Sequence, residues 1–305
     1  MSTGTESDFV YFLYDLATYL LNGITQGSVY ALVALGYTMV YGIIKLINFA
    51  HGEFYMIGAF IGFFCISSGM PLWMAFPCAM IGSGLVAVII ERMVYRPIRY
   101  AGRIPALITA LGTSLFFQYF GQNTLGADPK AFPKVTDFEN KTYQFGELFV
   151  STNQIVIIST TFILMVFLYW LVNHTRTGKA MRATSFDKNA AELMGIDTNK
   201  IISFTFFVGA SLAGAAGVLV GMYYNTVEPM MGLIPGLKAF VAAVLGGIGI
   251  IPGAVLGGLV LGIAENLVVG FWVSTYRDAI AFGILILILL LKPSGLLGKN
   301  RKEKV

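Results

Sequence analysis

Charge is scarce in this sequence. Only 12% of its 305 residues are Asp, Glu, Lys or Arg, against roughly 25% in an ordinary soluble protein. Hydrophobic residues make up 56% and the mean hydropathy is +0.75, more apolar surface than a water-soluble domain could cover. Cysteine and histidine are scarcer still, with two of each. Cys65 and Cys78 both fall in apolar segments, so they support neither a disulfide framework nor a thiolate metal site and read as small core hydrophobes. His51 has Glu53 two residues on and no third ligand nearby, and His174 lies in a polar loop, so no metal site and no cofactor is expected. Nucleotide motifs are missing too. Gly298 and Lys299 resemble the end of a phosphate-binding loop, but Pro293 stands where its first glycine belongs and Asn300 where the magnesium-binding Ser or Thr belongs. Gly247 and Gly249 lack the third glycine of a dinucleotide fingerprint and follow no strand. The net charge of +4 is explained by its distribution over loops, and nucleic acid is not expected as a partner.

The apolar residues fall in blocks of about 15 to 25, the length a helix needs to cross about 30 Å of hydrocarbon. The expected fold class is therefore all-α: a polytopic transmembrane helical bundle of about 8–10 spans, residues 1–305 forming a single integral membrane domain in a lipid bilayer. Candidate spans lie near 24–44, 53–69, 72–90, 104–122, 152–172, 201–223, 238–250, 253–270 and 277–292. Thirty-five glycines suit close helix packing in lipid. Residues 1–8 carry Glu6 and Asp8 and show neither a charged n-region nor a cleavage site, so no removable signal peptide is expected. Residues 9–21, with Asp15 among them, are too short to span comfortably and read as an interfacial or elbow helix. The span at 238–250 is also short. With Gly246, Gly247, Gly249, Pro252 and Gly253 between it and the next, that pair either crosses twice or dips in and returns.

Lys and Arg in short loops mark the cytoplasmic side. Lys45, Arg92, Arg96, Arg99 and Arg103, the loop residues Arg176, Lys179, Arg182, Lys188 and Lys200, and the tail residues Lys292, Lys299, Arg301, Lys302 and Lys304 put 15 of the 20 basic residues on one face. Lys130, Lys134, Lys141, Lys238 and Arg277 remain for the other, beside Asp128, Asp137, Glu139, Glu147 and Glu228. The C-terminus is expected inside. The outward loop at about 123–151 reads either as a solvated connector or as a contact for a soluble protein. The inward loop at about 174–200 contains a short amphipathic helix outside the bilayer. Gly195 is placed to end it in the left-handed conformation. The helix either joins two spans or docks a cytoplasmic protein.

One stretch stands apart. Ala34–Phe60 is an apolar run interrupted by Lys45, Asn48, His51 and Glu53. Ionisable groups at membrane depth are costly and mark functional sites by default; the alternative is a loop whose polar residues meet water. Asn48, His51 and Glu53 are candidates for a translocation path or gate near the inner mouth, with Gly42 and Gly52 letting the backbone bend. A structural hydrogen-bond role for Asn48 and His51 fits them about as well. Buried carboxylates, the usual mark of ion-coupled carriers, are few: Glu53 and Glu265, both near expected span ends.

These residues resemble a known family. The stretches NGITQGSVYALVALGYTMVYGIIKLINFAHGE (22–53), ERMVYRPIR (91–99), RTGKAMRATSFDKNAAELMGI (176–196), LKAFVAAVLGGIGIIPGAVLGGLVLGIAE (237–265) and LKPSGLLGK (291–299) are similar to the membrane permeases of branched-chain amino-acid ABC transporters, specifically the H-type subunit of the high-affinity leucine, isoleucine and valine importer. The resemblance implies a permease subunit in the bacterial inner membrane and not an enzyme. Its implied partners are a second, related permease, two cytoplasmic ATP-binding subunits that hydrolyse ATP, and a periplasmic or extracellular substrate-binding protein. Related permeases carry a Glu-Ala-Ala coupling motif ending in glycine. Here Ala190, Ala191 and Gly195 match it, Asn189 replaces the acid, and Arg182 and Glu192 flank it, making these the candidate ATPase-coupling residues. An importer of urea, short amides or other amino acids, an ion-coupled secondary carrier, and a non-transporting scaffold are the competing readings.

Overall fold

An unbroken helix, α1 (Thr3–Ile44), runs through residues expected to form a separate elbow. Its 42 residues reach about 63 Å at a rise of about 1.5 Å per residue, so it crosses the bilayer and projects beyond it. Asp15 does not break it, because an aspartate costs a helix interior only a few tenths of a kcal/mol. In the computed structural model residues 3–135 and 140–298 are described. Asp137, Glu139, Lys299, Asn300, Arg301, Lys302 and Lys304, and the side chains of Glu6, Asp8 and Arg103, lie outside the described residues.

The further helices are α2 (His51–Ser67), α3 (Leu72–Ile90), the single turn α4 (Arg96–Ile98), α5 (Arg103–Leu125), α6 (Thr152–His174), α7 (Arg176–Phe186), α8 (Lys188–Leu193), α9 (Thr198–Tyr224), α10 (Leu233–Gly246), α11 (Ile251–Phe271) and α12 (Arg277–Leu291). A π-helical turn, Glu91–Tyr95, joins α3 to α4. Seven segments among the described residues are long and apolar enough to cross a membrane, and α2 and α10 are shorter apolar helices. The chain is a multi-pass helical membrane protein.

Two small antiparallel ladders sit on one face: β1 (Lys130–Ala131) with β4 (Thr226–Val227), and the hairpin β2 (Thr142–Phe145) with β3 (Leu148–Ser151). Ser151 then starts α6 through a capping box with Gln154, which satisfies two orphan donors reciprocally. The opposite, basic face carries α4, α7 and α8. The segment after α12 joins that face, since the Leu296 and Leu297 backbone N–H groups donate to the carbonyls of Leu245 and Gly246 at the end of α10.

The core is α1 packed against α9, α10 and α11. Gly23 and Gly27 of α1 meet Gly258 and Gly262 of α11, where a Cβ on Gly27 would stand 2.7 Å from the Gly258 carbonyl oxygen. Two small-xxx-small stripes thus bring the backbones into contact, the packing lipid favours because apolar side chains gain little there from leaving lipid for protein.

The helices α2 and α10 depart from the expected spans. Lys45 adopts a left-handed conformation, φ 62°, which ends α1, and residues 45–50 turn back along it. The chain re-enters a helix at His51 beside Gly36, eight residues or about 12 Å up from the end of α1. On the other side of the sequence, non-helical residues after β4 descend to α10, whose N-cap Gly232 abuts Gly52. The expected span at 238–250 is therefore a short helix of 14 residues, and the chain turns at Gly247 and Gly249 (φ 104° and 94°) into the span-length α11.

Lys238, expected on the outer face at the start of the 238–250 span, is inside α10 and buried. Glu265, expected near a span end, lies fourteen residues into α11 and is also buried. Cys65 is half-buried, but Cys78, expected in the core, is exposed on the outside of α3.

Candidate functional site

Two helix N-termini meet inside the bundle. A Cβ on Gly232 would stand 2.5 Å from the Gly52 carbonyl oxygen, and one on Gly236 would stand 2.8 Å from the Gly52 Cα. Only glycine allows this approach, so Gly52 is a contact point within the first turn of α2 and not the bend expected there. Gly42 does not bend the chain either: α1 continues helically past it. Its carbonyl instead accepts a 2.6 Å hydrogen bond from Ser185 Oγ of α7. That bond ties the basic-face helices to the lower half of α1, beside a cavity of about 90 Å³ lined by Thr38, Met181, Arg182 and Gly249.

The polar residues expected near the inner mouth divide into three buried environments. Asn48 Oδ1 accepts a 2.6 Å hydrogen bond from the Tyr95 hydroxyl of the π-helical turn, a structural partnership. His51 is 1% exposed; its ring lies edge-on to Tyr37, 4.8 Å between centroids, and fills the space over Gly36 at the crossing with Gly209 of α9. Glu53 is different. Its Oε1 accepts from Ser114 Oγ and Gln118 Nε2 of α5, each at 2.8 Å, and its Oε2 faces Gly232 with no hydrogen-bond partner.

Sequence reasoning missed Ser114 and Gln118. Their spacing of four on an apolar helix, which places both on one face, was the available signal. It also missed two ion clusters. Buried Glu91 receives Arg99 at 2.6 Å and Arg96 at 3.2 Å, with the Ser203 hydroxyl at 2.6 Å, fastening the π-helical turn to α9. Buried Glu265 receives Lys238 at 3.1 Å and the Tyr30 hydroxyl at 2.9 Å. Lys238 also reaches Asp278 of α12 at 2.7 Å.

On the basic face, α7 and α8 form two short helices where one was expected. The Arg182 guanidinium donates to the Val172 carbonyl, one of the last carbonyls of α6, so it fixes α7 against that helix. Ala191 packs inward while Ala190 is exposed. Glu192 accepts from the Thr198 hydroxyl, and Gly195, φ +82°, closes α8. Its N–H donates to Glu192 and that of Ile196 to Ala191, both bonds of a Schellman motif. Phe186, Leu193 and Met194 are 82–89% exposed at the tip, an apolar patch of the kind that marks a docking surface.

The next helix, α9, starts on Asp197, whose side chain accepts from the Lys200 backbone N–H. That hydrogen bond holds the carboxyl below its usual value. The cap is therefore complete above the ordinary carboxylate range and is lost as pH falls through the depressed value. The protection factor of the Lys200 amide, its exchange rate corrected for the intrinsic pH dependence, is expected to fall only in acid.

Comparison with known proteins adds the following. The family model described as "Branched-chain amino acid transport system / permease component" matches residues 19–289. The high-affinity branched-chain amino acid transport system permease protein LivH of Escherichia coli (strain K12) is 43% identical, covering 98% of this chain and 100% of the relative. The corresponding BraD protein of Pseudomonas aeruginosa is 44% identical over 96% of this chain and 99% of its own. A ribose import permease protein, RbsC of Haemophilus influenzae, is 26% identical over 89% of this chain and 84% of its own.

Proposed function

This chain belongs to the permease-component family of branched-chain amino acid transport systems, and on that premise we propose that it is the membrane-spanning subunit of an ATP-driven importer of leucine, isoleucine and valine. The observation that carries the substrate is the identity of 43–44% with two branched-chain amino acid permeases over nearly the whole length of both chains. Charge supports the setting. The excess of Lys and Arg on one face makes that face cytoplasmic, with the C-terminus inside and the protein in the bacterial inner membrane. The whole chain acts as one integral domain.

The partners in this reading are a second, related permease, two cytoplasmic ATP-binding subunits and an extracytoplasmic substrate-binding protein. Phe186, Leu193 and Met194 form the apolar tip that enters the ATPase. Arg182, Ala190, Ala191, Glu192 and Gly195 shape and anchor the two helices behind it. The Ser185 bond to the Gly42 carbonyl gives motion of the tip a direct route into α1. Rigid-body tilting of the half-bundles then alternates access, with the translocation path along the α2, α5 and α10 junction.

The deciding experiment is uptake by liposomes holding this chain with its neighbouring permease, ATPases and binding protein. Leucine uptake that needs ATP and persists after ion gradients are collapsed is expected. Uptake abolished by an ionophore would favour an ion-coupled carrier, and uptake of ribose in place of leucine would move the substrate.

Gly195→Pro is a narrower test. Proline holds φ near −65° where this position needs +82°, so both Schellman bonds are lost at the foot of the tip. Binding-protein-stimulated ATP hydrolysis is expected to fall at least ten-fold, with membrane insertion unchanged on fractionation.

A further inference from the structure

Three carboxylates are fully buried among the described residues, and two of them have a cation beside them. Glu91 meets Arg96 and Arg99, and Glu265 meets Lys238. Glu53 has no such partner. It is 1% exposed, Ser114 and Gln118 supply neutral donors to one oxygen, and the other oxygen has no hydrogen-bond partner. A buried charge normally has an opposite charge beside it, because hydrogen bonds to neutral groups replace only part of its lost hydration. The N-termini of α2 and α10 converge on the same place and carry partial positive charge, but no full cation. The unpaired oxygen points at Gly232, in the seam between the two half-helices.

The wall on the α5 side is lined mainly by small and polar residues. The stripe of α5 that faces the bundle contains Ala106, Ala110, Ser114, Gln118 and Gly121, while Leu111, Leu115 and Tyr119 stand exposed on its other side. Small residues and the two hydrogen bonds to Glu53 form a seam, with Phe117 and Leu125 the larger α5 side chains packed against the neighbouring core cluster.

Resting on the amino-acid importer reading above, we propose that Glu53 is the counter-charge for the α-ammonium group of the amino acid in transit. When α5 separates from α2, the carboxylate lines the opening, and the substrate's ammonium occupies beside it the position that Lys238 occupies beside Glu265. Because branched-chain substrates share this group and differ only in aliphatic side chains, a site reading the ammonium serves all of them. It also disfavours solutes that lack a cation.

The test uses the complete transporter in liposomes with labelled leucine. Glu53→Gln keeps the shape and can still hydrogen-bond to Ser114 and Gln118 but removes the charge. Leucine uptake is expected to fall at least ten-fold at equal amounts of assembled complex, and Glu53→Asp is expected to recover a third or more. Equal uptake by wild type and Glu53→Gln would overturn the proposal.

An independent reading avoids reliance on that variant. In a chain also carrying Cys65→Ala and Cys78→Ala, Glu53→Cys is expected to react with an ethylammonium methanethiosulfonate during ATP turnover and to stay unreactive without ATP. A thiol that stays unreactive throughout turnover would also overturn the proposal. If the wild-type assembly moves no leucine, the functional reading itself fails and the proposal falls with it; leucine uptake by wild type isolates a failure to Glu53 alone.

Discussion

Lys238→Met is expected to destabilise the folded protein by about 3–5 kcal/mol, the usual cost of removing one partner from a buried ion pair. Lys238 is 4% exposed and Glu265 is 0% exposed at the side chain, 3.1 Å apart, so no water replaces the lost ammonium. The remaining partners of Glu265 are the Tyr30 hydroxyl at 2.9 Å and Arg277, 3.8 Å away and 35% exposed, which compensates only in part. Asp278 is 54% exposed and rehydrates, so its loss contributes little. The double variant Lys238→Met with Glu265→Gln is expected to recover most of the loss, since a neutral pair of similar volume carries no penalty for desolvating charge. Thermal unfolding of the detergent-solubilised protein, read as a double-mutant cycle, measures the coupling. Additive effects would mean that the two groups do not face each other.

This cluster shows where the sequence was silent. Hydropathy reads a lysine as an interruption, so Lys238 looked like the edge of an outer loop, and its partner twenty-seven residues on left no local trace. The long helices α3, α5, α6, α9 and α11 were legible because each is an apolar block of span length. Failures came where length and polarity misled: α1 continues helically through Asp15, and α10 stops short of span length at its N-cap Gly232. The same limit hid the burial of Asn48, His51 and Glu53. It depends on residues 45–50 folding back along α1, a tertiary event that no periodicity records. Gly195 was legible for the opposite reason, since a left-handed helix stop is a local property of one residue. Function itself became legible through long shared stretches and not through chemistry, because a permease carries no catalytic constellation to find.

Gly36→Ala is expected to destabilise by about 3 kcal/mol or more, at or above the upper end of the usual range for overpacking. The added methyl would overlap the His51 imidazole and stand 2.7 Å from the Gly209 carbonyl oxygen. A side chain can move aside only if there is room, and His51 is hemmed by Tyr37 and Phe54. The Gly209 carbonyl belongs to α9 and cannot move without separating two core helices. His51→Ala alone leaves a cavity and is also expected to destabilise, by about 2–5 kcal/mol on the scale of large core truncations. Combined with Gly36→Ala, however, it removes half of the clash and refills part of the cavity, so the double variant is expected to be less destabilised than the sum. Contact with Gly209 keeps it from full recovery. Thermal unfolding of the three variants separates the roles of two residues that sit two positions apart in sequence. Non-additivity would identify His51 as a fixed wedge at the α1–α9 crossing, which leaves Glu53 as the group in this polar stretch that is free to meet a substrate. Strict additivity would remove His51 from Gly36 and reopen the histidine as part of the path.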